Sequence, residues 1–386
     1  MDFSLSDEQL ALQDAARDFA QRELAPHAAS WDANEEFPLA TIAKAADLGF
    51  CGIYTPEAHG GLGLKRLDAA IIFEELAAGC TSTTAYITIH NMCAWMVASW
   101  GQRPVLETWA AKLAAGQALA SYCLTEPSAG SDAGSLKTRA EKKGDRYLMS
   151  GSKAFISGAG ATDLLVVMAR TSNDGPKGIT AFAVPAKSAG ISYGKKEHKM
   201  GWNCQPTRVI SFDNVEVPEE NRLGAEGEGF RIAMQGLDGG RINIATCSVG
   251  TAQAALERAQ AYMQQRKQFG QQLAQFQALQ FRLADMLTEL VASRQMVRLA
   301  AWKLDNKSPD ATTYCAMAKR FATDVGFEVA NAALQLHGGY GYTRELPLER
   351  HVRDLRVHQI LEGTNEIMRV IVARAALRDG ATENLR

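Results

Sequence analysis

A carboxylate followed directly by glycine and small polar residues stands near the C-terminus. The stretch is Arg353-Asp354-Leu355-Arg356-Val357-His358-Gln359-Ile360-Leu361-Glu362-Gly363-Thr364-Asn365-Glu366, after which a helical pattern resumes. Gly363 permits backbone geometry and a close approach that a side chain would block. A carboxylate beside such a turn can reach a bound molecule while neighbouring amides hold it, which is the placement of a general base. Taken alone, Glu before Gly is most often a solvated turn residue. Far upstream lies a second segment, Tyr122-Cys123-Leu124-Thr125-Glu126-Pro127-Ser128-Ala129-Gly130-Ser131-Asp132, rich in backbone donors and small residues. No G-x-G-x-x-G occurs, so the usual dinucleotide fingerprint is absent. Three further segments carry chemistry. Ser150 to Gly158 offers an aromatic and a hydroxyl on alternate positions, Phe155 and Ser157, around Ile156. Arg266-Lys267-Gln268-Phe269-Gly270, followed by Gln277, offers a guanidinium, whose fork pairs phosphate oxygens. An Arg at a helix end is more often a surface residue compensating the helix dipole. In Gln335-Leu336-His337-Gly338-Gly339-Tyr340-Gly341, the glycines beside His337 favour backbone contact with a ligand over acid–base chemistry.

The elements that position these residues are legible in the periodicity. Ser6-Asp7-Glu8-Gln9 is a capping-box signature, and Leu12, Ala15 and Phe19 follow at helical spacing. Helical patterns continue towards Ala120, broken by the turn-rich stretch Pro56 to Gly63. Around residue 121 the texture changes to short β-rich runs such as Leu164–Met168, Ile179–Val184 and Val209–Phe212, which predict a compact sheet or barrel. Past Pro218 the chain turns helical again, and long helices with short connectors predict an antiparallel bundle.

Composition bounds the function classes. The chain has 386 residues, room for two or three domains, and 46% hydrophobic with 22% charged residues describes an ordinary soluble globular protein. A formal charge of -2 argues against a nucleic-acid footprint. No apolar run approaches the ~18 residues of a membrane span. The start, Met1-Asp2-Phe3-Ser4-Leu5, shows no secretory signal, and early acidic residues argue against a presequence. The expectation is a bacterial cytoplasmic protein, or a mitochondrial matrix protein whose presequence has been removed. The 7 cysteines form no C-x-x-C pair, so they read as buried thiols, with no metal site.

Together, the Glu362 and Tyr122 segments resemble the acyl-CoA dehydrogenase family, flavoenzymes that desaturate acyl thioesters between Cα and Cβ. The resemblance covers nearly the whole chain. It implies a mainly α fold with a central β-domain: an N-terminal helical domain over 1–120, a β-barrel-like middle domain over 121–225 and a C-terminal four-helix bundle over 226–386. It implies FAD as cofactor, with Glu362 as catalytic base and hydride transfer from Cβ to the flavin. FAD contacts are implied for Tyr122, Leu124, Thr125, Gly130, Ser131, Phe155, Ile156 and Ser157. Arg266, Gln268, Phe269 and Gln277 would meet the pyrophosphate end, and Gln335, Gly338 and Gly339 would reach FAD across a subunit interface, with Thr364, Asn365 and Glu366 nearby. Acyl-CoA contacts are implied for Ser131, Asp238, Gly239, Gly240, Arg241 and Gly363, with Arg374 weaker, and Arg241 facing the adenosine or phosphate end of CoA. Many members carry Trp and Thr where this chain has Phe155 and Ser157. Some relatives place their catalytic Glu at the position of Gly240, so here Glu362 is left as the base. Segments such as Gly79–Tyr86, Ile89–Trp95, Gly201–Arg208 and Gly239–Ala245 are most similar to the branch acting on isobutyryl-CoA in valine catabolism. The alternatives are 2-methylbutyryl-CoA or a short straight-chain thioester, then an oxidase, or a scaffold without catalysis. The implied partners are acyl-CoA, an electron transfer flavoprotein as acceptor, and three further copies in a homotetramer built as a dimer of dimers.

Overall fold

A computed structural model describes residues 4–381. Helix α1 (Asp7–Phe19) starts at the reciprocal cap anticipated from sequence: Gln9 N–H donates to Ser6 Oγ, and Ser6 N–H to Gln9 Oε1, both at 3.2 Å. Helices α2 (Ala28–Asn34), α3 (Leu39–Asp47), α4 (Arg66–Gly79) and α5 (Thr81–Trp100) follow, then the short α6 (Arg103–Val105) and α7 (Ala111–Ala114). Helix α5 is buried on nearly all sides, so its polar residues must find internal partners. Thr84 Oγ1 donates to Cys80 O at 2.8 Å. Asn91 donates to Phe50 O at 2.8 Å and accepts from Ile53 N at 2.9 Å, tying the loop after α3 to α5.

The strands are β1 (Ala120–Cys123), β2 (Arg139–Lys143), β3 (Arg146–Ser157), β4 (Leu164–Arg170), β5 (Ile179–Pro185), β6 (Ile191–Tyr193), β7 (Thr207–Pro218) and β8 (Arg222–Leu223). Their order is β6-β7-β3-β2-β4-β5-β8, with β1 added parallel to β4. Strands β4 and β5 are buried almost throughout, which explains unbroken apolar runs in place of alternation. Long β3 and β7 pair antiparallel with a register shift between Lys153 and Ile156.

Helix α8 (Gly229–Gln265) opens the last third. A hairpin of β9 (Lys267–Gln268) and β10 (Gln271–Gln272) leads to α9 (Gln277–Asp305) and α10 (Ala311–His337). The short α11 (Gly339–Tyr342), α12 (Leu348–Arg356) and α13 (Asn365–Asp379) complete the chain. Helix α10 packs on α8, α9 and α13, while α8 also packs on α4 and α5. Gly250 allows the approach to α4, because a Cβ there would run into Glu74 O. The result is the three-domain arrangement of helices, sheet and helical bundle, with α8 as the element that joins bundle to N-terminal helices. All seven cysteines are buried and unpaired. No helix among the described residues is long and apolar enough to cross a membrane.

Candidate active site

Glu362 lies on the connection between α12 and α13, after a short turn of 3-10 helix at Val357–Gln359. Its φ is 56° and that of Gly363 is 86°, two consecutive left-handed residues. Glycine adopts this geometry freely, whereas for a glutamate it is uncommon and strained. Thr364 ends the turn by capping α13, its Oγ1 accepting from Ile367 N at 3.3 Å. On the inner side, Lys319 Nζ from α10 donates to Gly363 O and to Asn365 Oδ1, each at 2.8 Å. The Asn365 amide also donates to Thr323 Oγ1 and Asp324 Oδ1, at 2.9 and 2.7 Å. Asn365 therefore has its side chain committed to α10, while Glu366 points to solvent, 80% exposed.

The Glu362 side chain turns inward. Among the described residues, its Oε2 is buried without a hydrogen-bond partner and its backbone N–H donates to no acceptor. The facing residue on α8 is Gly240, where a Cβ would stand 2.5 Å from Oε2. Glycine at 240 is thus what leaves room for the carboxylate. One residue earlier, a Cβ at Gly239 would collide with the Arg66 guanidinium, which lies 3.5 Å over the Tyr54 ring. Arg241 is buried beside Glu362, its Nη1 2.6 Å from Asp238 Oδ1, and Asp238 Oδ2 accepts from Thr312 at 2.7 Å. The structure places Arg241 against Asp238 and Glu362, not at a solvent-open end. Burial pushes the Glu362 carboxyl up to about 7, against the opposing pull of Arg241 and then Lys319. Burial pulls the Lys319 ammonium down to about 7, with Glu362 and Asp324 acting the other way. Tyr122 on β1 presents a buried hydroxyl with no partner among the described residues, its pKa raised by burial and further by the Glu362 charge.

The Tyr122 segment continues into a loop held by a buried ion pair. Lys153 Nζ from β3 stands 2.8 Å from Glu126 Oε1 and also donates to Leu124 O at 3.0 Å. Glu126 accepts from Lys137 N and Thr138 N at 2.6 and 2.9 Å. Ala154 N donates to Thr125 O at 2.8 Å, so loop and strand lie side by side. Within the register shift, Phe155 takes φ 57° and turns its ring outward, 68% exposed. Leu124 and Ile156 are buried, Gly130 and Ser131 are exposed, and Ser157 O accepts from Ser121 Oγ at 2.7 Å. An exposed phenyl ring beside a loop of main-chain amides is a surface suited to a flat heteroaromatic ring.

A second locus lies at the far end of α8. Arg266 caps that helix, its N–H donating to Tyr262 O at 2.8 Å, and no carboxylate pairs with its guanidinium among the described residues. An open cleft of about 530 Å³ brings together Arg266, Gln268, Gln335, Gly338, Gly339 and Tyr340. Phe269 at the hairpin tip is 94% exposed, and Gln277 begins α9 just beyond. His337 is occupied structurally, with Nδ1 2.7 Å from Ala333 O and its ring stacked on Tyr262. Arg374 is exposed on α13, away from any ion pair among the described residues. Sequence reasoning passed over Lys319. The signal available was a lysine amid Ala316, Ala318 and Ala322 on an apolar helix.

Domain models of a known family match in order along the chain: acyl-CoA dehydrogenase N-terminal domain over residues 6–117, middle domain over 121–215 and C-terminal domain over 227–377. A Bos taurus protein named mitochondrial isobutyryl-CoA dehydrogenase is 53% identical over 375 residues, 97% of this chain and 90% of the relative. The solved butyryl-CoA dehydrogenase of Megasphaera elsdenii superposes with a TM-score of 0.95 at 40% identity, covering 98% of this chain and 100% of that one. An FAD complex of PigA superposes with a TM-score of 0.95 at 29% identity, with coverage of 98% and 100%. An enzyme of the oxidoreductase class is thereby defined. The chain belongs to the acyl-CoA dehydrogenase family.

Proposed function

We propose that this protein is an FAD-dependent dehydrogenase that desaturates a short branched acyl-CoA, converting isobutyryl-CoA to methacrylyl-CoA in valine catabolism and passing electrons to an electron transfer flavoprotein. The observation that carries the reading is the Glu362 carboxylate: buried at Oε2, unpartnered, facing Gly240, and raised by burial to about 7. A base with a pKa near the working pH combines basicity with a useful ionised fraction. Arg241 and Lys319 keep that fraction from vanishing in so dry a place. An α-proton beside a thioester is too weakly acidic for a carboxylate in water, so negative charge on the thioester oxygen must meet hydrogen-bond donors. The free Glu362 N–H is such a donor, carried on the same residue as the base.

The residues around the site fit FAD. Exposed Phe155 offers the ring a platform, Thr125 and its neighbours offer main chain, and Arg266 with Gly338 and Gly339 offers a cation and bare backbone for a pyrophosphate. When bound, FAD supplies the acceptor for the substrate's β-hydride. The cleft at Arg266 and the exposed apolar residues Phe269, Phe281, Leu287 and Val291 also support a homotetramer, arranged as a dimer of dimers, in which a second copy covers this end of the bundle.

Turnover with isobutyryl-, 2-methylbutyryl-, butyryl- and isovaleryl-CoA tests the substrate reading, with isobutyryl-CoA expected to give the highest kcat/KM. One methylene in an apolar pocket discriminates by only about 1–3 kcal/mol, so neighbours will turn over more slowly and not vanish. A preference for butyryl- or isovaleryl-CoA would overturn the substrate assignment. Arg266→Ala is expected to copurify with much less FAD, since the pyrophosphate would lose its cationic partner. Flavin absorbance per protein measures this, and full occupancy would remove Arg266 from the cofactor site.

A further inference from the structure

We infer that Lys319 is a positioning residue for this site: its ammonium clamps the Glu362–Gly363 turn and supplies positive charge beside the Glu362 carboxylate. The inference rests on reading Glu362 as the base. Lys319 lies in the middle of α10 and is fully buried, a costly place for an amine without partners. Its Nζ donates to two acceptors on either side of Thr364, Gly363 O and Asn365 Oδ1. Both contacts bracket the point where the left-handed turn becomes α13. Two consecutive left-handed residues persist only when surrounding structure holds them. Asn365 transmits the hold to α10 a second time, through Thr323 and Asp324.

Two cations face Glu362, and they differ in their partners. From α8, Arg241 pulls the carboxyl down and is itself paired with Asp238 at 2.6 Å. From β1 and α5 come the Tyr122 phenol and Cys93 thiol, both raised by burial and so uncharged at neutral pH. His358, before the turn, is lowered to about 3 by burial and is neutral too. Asp324 on α10 and Glu366 on α13 are acidic and act on Lys319 itself. Lys319 is thus the buried cation next to the base that no carboxylate bonds directly among the described residues.

The test uses FAD-loaded Lys319→Met, with the Glu362 carboxyl titrated by infrared difference spectroscopy against Glu362→Gln, without substrate. Loss of the cation is expected to raise the midpoint on the order of one pH unit. The acid limb of kcat/KM should move with it, and flavin reduction at neutral pH should fall about fivefold. Lys319→Gln keeps an N–H donor without the charge and should show the same titration shift with a smaller loss of thermal stability. Asn365→Leu keeps the charge but removes one anchor, and should slow reduction without raising the midpoint. A parental midpoint and parental acid limb in either folded Lys319 variant would overturn the charge role. Parental reduction by Asn365→Leu would overturn the clamp, even if both Lys319 variants failed to fold. If the midpoint moves while the reduction rate does not follow, the lysine role stands and Glu362 as base fails.

Discussion

Lys153→Met is expected to be among the most destabilising single substitutions in the chain. It leaves the Glu126 carboxylate buried against Lys137 N and Thr138 N with no cation beside it. Burial pushes the Glu126 carboxyl up, but Lys153 and those hydrogen bonds outweigh it and hold it below its ordinary value. Its contribution is therefore present at neutral pH and is lost as pH falls through the acid range. Breaking one side of a buried pair typically costs about 3–5 kcal/mol. For a cooperative unit of about 100 residues that amounts to a Tm lower by roughly 15–25 °C, read by circular dichroism. The Glu126–Thr138 loop should loosen with it, and FAD content should drop. A Glu126→Leu/Lys153→Met double variant should recover part of the stability, because neither charge is left alone. An unchanged Tm in the single variant would mean that the pair does not hold the loop.

Glu362→Gln is expected to produce the largest loss of activity. The amide has nearly the shape of the acid and leaves the left-handed turn and the backbone N–H in place, so acyl-CoA binding should persist. What disappears is the proton acceptor. General-base catalysis contributes typically about 10²–10⁴-fold. No second carboxylate stands at position 240, so rescue from within the site is absent. In the parent protein, kcat/KM should rise with pH through about 7, because only the ionised carboxylate accepts a proton and burial has placed its pKa there. The same shift carries a stability cost of opposite slope. The folded state retains a proton that the unfolded chain has already lost, so this group's contribution declines as pH rises from its ordinary range towards 7. A kcat/KM profile flat from pH 5 to 8 would remove Glu362 from the rate-limiting proton transfer.

The split into helices, sheet and bundle was legible because hydrophobic period reports local geometry. Ser6 and Gln9 show the same at the scale of one turn. Glu362 was singled out by resemblance, since a Glu before a Gly taken alone reads as a solvated turn, and its burial opposite Gly240 became visible only in the structure. Other parts depend on residues far apart in sequence. Lys319 reaches Gly363 across 44 positions, and Lys153 reaches Glu126 across 27, distances over which spacing carries no information. Asn365 matched a cofactor segment, yet its amide is spent on α10. Arg241 matched a substrate segment, and it lies buried beside Glu362. In both, residue type was readable and side-chain direction was not, because direction is set by the facing helix. Phe155 shows the reverse: its outward ring follows from a register shift between strands, which a single strand's alternation does not reveal.

The most direct test of the central claim is anaerobic stopped-flow mixing with isobutyryl-CoA, followed at the flavin absorbance in a single turnover. The parent protein should bleach rapidly, and Glu362→Gln should bind the thioester and stay yellow over the same interval. Bleaching of Glu362→Gln at the parental rate would show that another group takes the α-proton.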